Sequence, residues 1–163
     1  MATGDTLAMF DARQAFFPSS NYATPSTRNI HPTLLFDDTT QEAVYFQGVM
    51  PQNYGGGDIT VYVHYSAVSA TSGTGGWLAA FERIGDWSQD VDSDGFASDQ
   101  TITATTVPGT SGNVDILSVT VTAGSATDSI AAGELYRICI KRNVASDTAT
   151  GDLELHAVEL REA

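Results

Sequence analysis

The chemically most suggestive residues form an acidic run. Asp90, Asp92 and Asp94 occupy alternate positions and are followed by Gly95. Alternating carboxylates with a glycine that permits a tight turn open the calcium loop of helix–loop–helix proteins. The last ligand position of such a loop requires a bidentate Glu, but Thr101 stands there, and the flanks have the pattern of strands. We therefore expect a solvated acidic loop and no cofactor, with a looser calcium loop as the alternative.

No other set of residues has the spacing of a catalytic or metal site. His31, His64 and His156 lie in separate segments without metal-ligand spacing. Cys139 lies within an apolar run with no nucleophile turn around it. Carboxylates are abundant, but no local motif marks a glycosidase pair. We therefore predict no catalytic residues and a protein that is not an enzyme, and we disfavour a hydrolase.

Charge and composition exclude several partners. The chain has 20 acidic and 7 basic residues, for a net charge of −13. Counterion release on nucleic acid needs basic side chains gathered on one face, whereas these are scattered along the sequence. No apolar run approaches the ~20 residues that span a bilayer. We expect neither nucleic-acid nor membrane binding.

The elements that position these residues are predicted to be strands. In residues 59–66 apolar and polar side chains alternate, which indicates a strand with one buried face. We interpret residues 43–67 as a hairpin around the glycines at 55–57. Similar runs recur between turn-rich separators, which predicts an all-β, jelly-roll-type β-sandwich of about eight strands over residues 33–163. The predicted strands are 33–36, 42–50, 58–67, 76–85, 100–106, 114–122, 134–142 and 152–161.

The strand over residues 76–85 has apolar side chains on both faces, including Trp77, Leu78, Ala80 and Phe81. Its second face needs a cover from residues 1–32, from a loop or from another subunit. An oligomer is the economical explanation at this point. Four aromatic residues, if exposed, are candidates for a surface on which a sugar ring stacks: Trp77, Trp87, Tyr54 and Tyr62. Such residues more often fill cores and subunit interfaces.

We interpret the first 32 residues as an extended N-terminal arm. Between residues 16 and 32 there are three prolines, and the apolar residues follow neither a helical nor a strand periodicity. The arm is too apolar to stay in water, so we expect it to lie on the body or on a neighbouring subunit. The interface candidates are Phe10, Phe16, Phe17, Tyr22, Tyr62 and His64.

Six pieces in a fixed order carry a family resemblance. They are Asp37-Asp38-Thr39, then residues 46–56, 59–65, 77–84, 132–138 and 151–160. In this order the chain resembles small jelly-roll virion structural proteins of tailed phages, including capsid decoration and tail-fibre-like proteins. The resemblance covers the body and not residues 1–32. It implies a role on the virion surface, commonly as a trimer, and brings no catalytic residues.

From the residues and the resemblance together we expect a phage capsid decoration protein. It would bind the major capsid protein as a homo-oligomer, with a trimer expected, and lie on the capsid surface after assembly in the host cytoplasm. The alternative is a tail-fibre or receptor- and carbohydrate-binding β-sandwich module. Exposed aromatic residues and the acidic loop at 90–94 would then form the binding site.

Overall fold

A computed structural model describes residues 3–163. Among these residues no helix is long and apolar enough to cross a bilayer. The described part contains ten strands and two short 3₁₀ turns, at Ala12–Gln14 and Ser125–Thr127. The strands are β1 (Thr6–Asp11), β2 (Thr24–Arg28), β3 (His31–Phe36), β4 (Ala43–Val49), β5 (Ile59–Ala67), β6 (Thr74–Ile84), β7 (Gln100–Thr106), β8 (Asp115–Val121), β9 (Leu135–Arg142) and β10 (Leu153–Glu162).

The strands form two antiparallel sheets. The larger sheet has the order β2-β3-β10-β5-β8, and β1 also pairs with β10. The smaller sheet has the order β4-β9-β6-β7. Strand β10 is central to the larger sheet, because β5 runs along one of its edges while β3 and β1 share the other. The predicted all-β sandwich is confirmed.

Aromatic rings join the two sheets in one core. Trp77 of the smaller sheet is fully buried and meets Phe36 and Tyr65 of the larger sheet edge-on, at ring-centroid distances of 5.0 and 5.6 Å. Edge-to-face contacts of this kind add to the gain from burying apolar area. On β9, Tyr136, Ile138 and Ile140 face the core, as their alternation indicates.

The eight predicted strands correspond to β3 through β10, with ends that differ by up to about two residues. Strands β1 and β2 come from the region expected as an extended arm. This region is extended, and two parts of it pair in the larger sheet, β1 with β10 and β2 with β3. An edge strand provides the hydrogen bonds that an arm would otherwise leave to water.

The hairpin interpretation of residues 43–67 is wrong. Strand β4 pairs with β9 in the smaller sheet, whereas β5 pairs with β10 and β8 in the larger sheet. Residues 50–58 therefore cross between sheets. Buried Tyr54 fixes the crossing by donating a hydrogen bond to the carbonyl of Gly57. Alternation predicts that a segment is a strand, but it carries no information about its partner.

The outer face of β6 is covered by this chain itself. Ala80 and Glu82 are buried there. The backbone amide of Ala97 donates to the carbonyl of Phe81, and the Phe96 ring lies 5.0 Å from the guanidinium of Arg137, which is paired with Glu82. The loop between β6 and β7 thus provides the cover. The two apolar faces of this strand need no second subunit.

Candidate functional site

A surface pocket of about 520 Å³ opens on the outer face of the larger sheet. Its volume lies in the range of ligand-binding pockets. The pocket brings together all three histidines of the chain, although they are far apart in sequence. Its lining residues are Arg28, Asn29, His31, His64, Gly112, Val114, His156 and Ala157.

A two-residue turn places the first side of the pocket. Asn29 and Ile30 join β2 to β3 with φ angles of 46° and 68°, and Arg28 pairs directly with His31. Two consecutive residues with positive φ are typical of a type I′ hairpin turn. Asparagine tolerates this conformation, but a β-branched residue such as Ile30 is strained in it. The turn thus sets two hydrogen-bonding side chains opposite each other.

A β-bulge in β10 positions the residues on the second side of the pocket. On β10 the pairing with β5 shifts between Leu155 and Ala157, and His156 is the extra residue. Ala157 then pairs with His64 of β5. Bulges commonly redirect a side chain next to a functional site. Here the shift brings His156 into the pocket beside His64.

Behind the pocket a chain of hydrogen bonds fixes Arg28 and His156. Arg28 Nη1 donates to Glu154 Oε2 at 3.0 Å, and the Ser66 hydroxyl donates to the same oxygen at 2.9 Å. Ser66 Oγ also lies 2.8 Å from Nε2 of His156. Glu154 and Ser66 are buried, with side-chain exposure of only 5% for Glu154. Buried polar groups with all partners in place hold a rigid arrangement.

The two imidazoles beside the bulge favour the neutral form. Burial lowers the pKa of His64, an effect that the Glu159 carboxylate opposes. Burial also lowers the pKa of His156, opposed by the nearby Glu154. Because desolvation penalises the charged form of a base, both rings carry one proton at neutral pH. Each ring then offers one donor and one acceptor nitrogen.

The acidic run lies in the loop between β6 and β7 and does not form a cation cage. The amide of Asp92 donates to Asp90 Oδ1, and the amide of Gly95 donates to Asp94 Oδ1. These carboxylates therefore cap their own loop, as Asx turns do. Within residues 3–163 no group of three or more His, Cys, Asp or Glu side chains has a geometry that could hold a metal ion.

The interface candidates lie in different places. Phe10 is 6% exposed and stacks on Phe46 in the core at 5.3 Å, so its ring is occupied within the chain. Phe16 packs on Tyr45 of the smaller sheet. Phe17 and Tyr22 touch each other and are partly exposed.

The remaining two candidates, Tyr62 and His64, are neighbours on the outer face of the larger sheet. The Arg161 guanidinium covers the ring of Tyr62 at 4.5 Å, and His64 lines the pocket.

The aromatic residues proposed as a stacking platform do not come together. Trp77 and Tyr54 are buried, Tyr62 is covered by Arg161, and Trp87 is fully exposed on the loop before β7. Besides the histidines, sequence reasoning missed the other five lining residues, which are Arg28, Asn29, Gly112, Val114 and Ala157. The available signal was Asn29, since asparagine favours a turn, but such a signal does not show the pairing of the strands that the turn joins.

Known proteins resemble this chain in fold. No protein-family model and no curated protein matches it. Among solved structures, two xylan-binding domains from Paenibacillus barcinonensis each have a TM-score of 0.53. CBM22-2 is 9% identical over 96% of this chain and 99% of its own, and CBM22-1 is 11% identical over 100% and 99%.

A third similar structure is the CBM22-1–GH10 part of a xylanase from Clostridium thermocellum, with a TM-score of 0.53. It is 12% identical over 98% of this chain, which spans 29% of that chain. At such identities the likeness shows the fold alone, a β-sandwich shared with carbohydrate-binding modules.

Proposed function

We propose that this chain is a carbohydrate-binding β-sandwich module, without catalytic activity, whose recognition site is the pocket on the outer face of the larger sheet. The observation that carries the proposal is the pocket's lining. Imidazole, amide and guanidinium groups from His31, His64, His156, Asn29 and Arg28 converge on one concave site.

This set of side chains suits a sugar. The amide and the neutral imidazoles supply both donors and acceptors, and the guanidinium supplies donors, so together they can engage several hydroxyls of a sugar ring. Val114, Ala157 and the backbone of Gly112 give the same pocket an apolar part that the C–H face of a sugar can cover. The β-sandwich fold shared with xylan-binding domains supports the class of ligand, though not the particular glycan.

The experiment is a glycan screen with matched variants. His64 makes no side-chain hydrogen bond within residues 3–163, so the double variant His31→Ala and His64→Ala is expected to fold. We expect it to lose at least about tenfold in affinity, which corresponds to about 1.4 kcal/mol. Gln47→Ala, an exposed position on the other sheet, is the control and should bind like the parent.

Three results would contradict this assignment. Glycan binding that survives the double histidine variant would place recognition elsewhere. Loss of binding in Trp87→Ala alone would assign it to the exposed ring of the loop before β7. No binding to any glycan of a broad panel would remove the carbohydrate proposal altogether.

Capsid decoration remains a second proposal, supported by the sequence resemblance. The outer face of β6 does not require a trimer to cover it, since the loop around Phe96 packs on it. A tail-fibre location is compatible with carbohydrate recognition. Immunogold labelling of virions would separate the capsid surface from the tail.

A further inference from the structure

The pocket differs in charge from the rest of the protein. The chain has 20 acidic side chains, yet none of the eight residues that line the pocket is acidic. The lining holds Arg28, one of only seven basic residues, together with every histidine. In a molecule with a net charge of −13, a pocket without acidic lining residues repels an anion less than an acidic surface does.

Arg28 is held in place while part of its guanidinium stays available. All of its side-chain hydrogen bonds within residues 3–163 use Nη1, with Glu154 and the carbonyls of Ala67 and Val68 as acceptors. Nε and Nη2 donate to no protein acceptor in that part of the chain. These two groups form the fork that binds a carboxylate in bidentate fashion.

Gly112 allows this placement. A Cβ at this position would lie 2.6 Å from Nη2 and 2.8 Å from Nε of Arg28. Its φ of +81° is also one that other residues rarely adopt. The guanidinium thus rests against bare backbone at the pocket wall.

The hydrogen-bond chain fixes which nitrogen of His156 carries the proton. The single proton of the Ser66 hydroxyl is donated to Glu154, so Ser66 Oγ accepts from Nε2–H of His156. Nδ1 is then the acceptor nitrogen of the neutral ring. In the neutral ring Nδ1 can accept a hydrogen bond from a hydroxyl group. When the ring takes up a proton, Nδ1 becomes a donor, and the positively charged ring then favours an anion.

From these observations we propose that the pocket binds a sugar that carries a carboxylate, such as a uronic acid, and takes up protons on histidine as it does so. The inference rests on the proposed function and names the class of saccharide. The carboxylate would meet the free edge of Arg28, and His64 and His156 would supply charge as they protonate.

The charged groups around the two histidines set the direction of the pH effect. His156 faces Glu154 on its own strand, Arg28 of β2, His31 of β3 and His64 of β5. The Glu154 carboxylate raises its pKa, whereas burial, Arg28 and the other two histidines lower it.

His64 faces Glu159 and Arg161 of β10, and these two charges oppose each other. Other nearby carboxylates are engaged elsewhere. Asp11 of β1 accepts from Arg13, and Asp115 of β8 accepts from the Tyr65 hydroxyl.

The sign follows from these pKa values. Both lie below the ordinary 6.5, so at about pH 7.5 both rings are neutral in the free protein. A bound carboxylate favours the charged rings and raises both pKa values. Affinity for the acid sugar therefore rises as pH falls from the raised pKa values of the complex towards those of the free protein, by up to about tenfold per pH unit for each proton taken up, and it levels off below the free-protein values.

The test is an NMR titration that follows the three histidine rings and the backbone amides with glucuronate and with glucose, which differ by one carboxylate, at about pH 5.5 and about pH 7.5. We expect glucuronate to shift the His64 and His156 resonances, to raise both pKa values and to bind at least about tenfold more tightly at the lower pH. Glucose should bind more weakly and leave the pKa values unchanged.

Two variants separate the role of Arg28 in carboxylate binding from the role of His156 in proton uptake. Arg28→Lys keeps the charge beside Glu154 but removes the fork, and should weaken glucuronate binding while leaving Tm nearly unchanged. His156→Gln keeps an N–H for Ser66 but cannot become charged, and should reduce the gain in affinity at low pH. Arg13→Lys is the control, because this side chain is 76% exposed and lies outside the pocket. It should change neither the affinity for glucuronate nor the gain in affinity at low pH.

The outcomes distinguish this inference from the proposed function. Equal binding of glucose and glucuronate in the pocket would overturn the acid preference and leave the carbohydrate assignment standing. Unchanged histidine pKa values at saturating glucuronate would also overturn the inference. Resonance shifts confined to the smaller sheet would contradict both proposals, and no response to tens of millimolar glucuronate would contradict the acid-sugar assignment.

Discussion

Ser66 and His156 are joined by a 2.8 Å contact between Oγ and Nε2 on the outer face of the larger sheet. The two residues lie on neighbouring strands, β5 and β10, at the point where the bulge interrupts their register. Since Ser66 gives its proton to Glu154, the contact determines the tautomer of the ring. A buried hydroxyl thus controls the hydrogen-bonding character of a pocket residue.

The first prediction concerns this contact. Ser66→Ala should lower the free energy of unfolding by about 1–3 kcal/mol, because Glu154 loses a buried donor. It should also release His156 from the Nε2–H tautomer. Nitrogen-15 NMR of the imidazole reports the tautomer directly, and urea denaturation reports the stability. If the variant keeps a pure Nε2–H ring, Ser66 does not set the tautomer.

The second prediction concerns the wall behind Arg28. Gly112→Ala places a Cβ against the guanidinium at a φ of +81° and should lower the free energy of unfolding by about 1–3 kcal/mol. Gly109→Ala in the same loop is the matched control, because nothing lies within 4 Å of its Cβ position and its φ is not positive. Equal stability of the two variants would refute the close approach.

The third prediction concerns the strained turn. Ile30 is 92% exposed at a φ of 68°, so its side chain gains no burial that offsets the strain. Ile30→Gly should raise the free energy of unfolding by about 1 kcal/mol, since Asn-Gly is the preferred pair of a type I′ turn. Thermal unfolding should show a higher Tm. A lower Tm would mean that Ile30 has a stabilising contact in solution.

The fourth prediction concerns a buried ion pair. Arg142 is fully buried, donates twice to Asp147 and also donates to the carbonyls of Phe36, Ala149 and Gly151. Arg142→Met leaves the buried Asp147 carboxylate without a countercharge and should lower the free energy of unfolding by about 3–5 kcal/mol.

The control for that variant is Arg13→Met, whose ion pair with Asp11 is largely exposed and should cost at most about 1 kcal/mol. Chemical denaturation of both variants gives the comparison. Similar losses in the two would show that burial of the Arg142–Asp147 pair adds nothing.

Strand positions were predictable because period-two alternation is local. On β9 the alternation puts Tyr136, Ile138 and Ile140 on the core face, and the structure places them there, but the burial of Arg142 beside them with Asp147 as its partner is contrary to the expectation that basic residues of this strand lie outside. Strand partners were not predictable. The segment 43–67 looks like a hairpin, yet β4 and β5 lie in different sheets, because pairing depends on contacts distant in sequence.

The candidate site was less predictable than the fold. His31, His64 and His156 have no meaningful spacing, and they meet only because β10 lies between β3 and β5 and bulges at His156. The acidic run at 90–94 is recognisable in the sequence because a calcium loop is a local motif. A site assembled from four strands, a turn and a loop leaves no such mark in the sequence.

The most direct test of the carbohydrate assignment is a chemical-shift map of the backbone and imidazole signals during titration with the best glycan of the screen. We predict that the perturbed residues cluster around Asn29, His64 and His156, while Gln47 on the opposite sheet does not respond. A map centred on Trp87 or on the smaller sheet would contradict the assignment, as would a full panel of glycans that perturbs none of the three pocket residues.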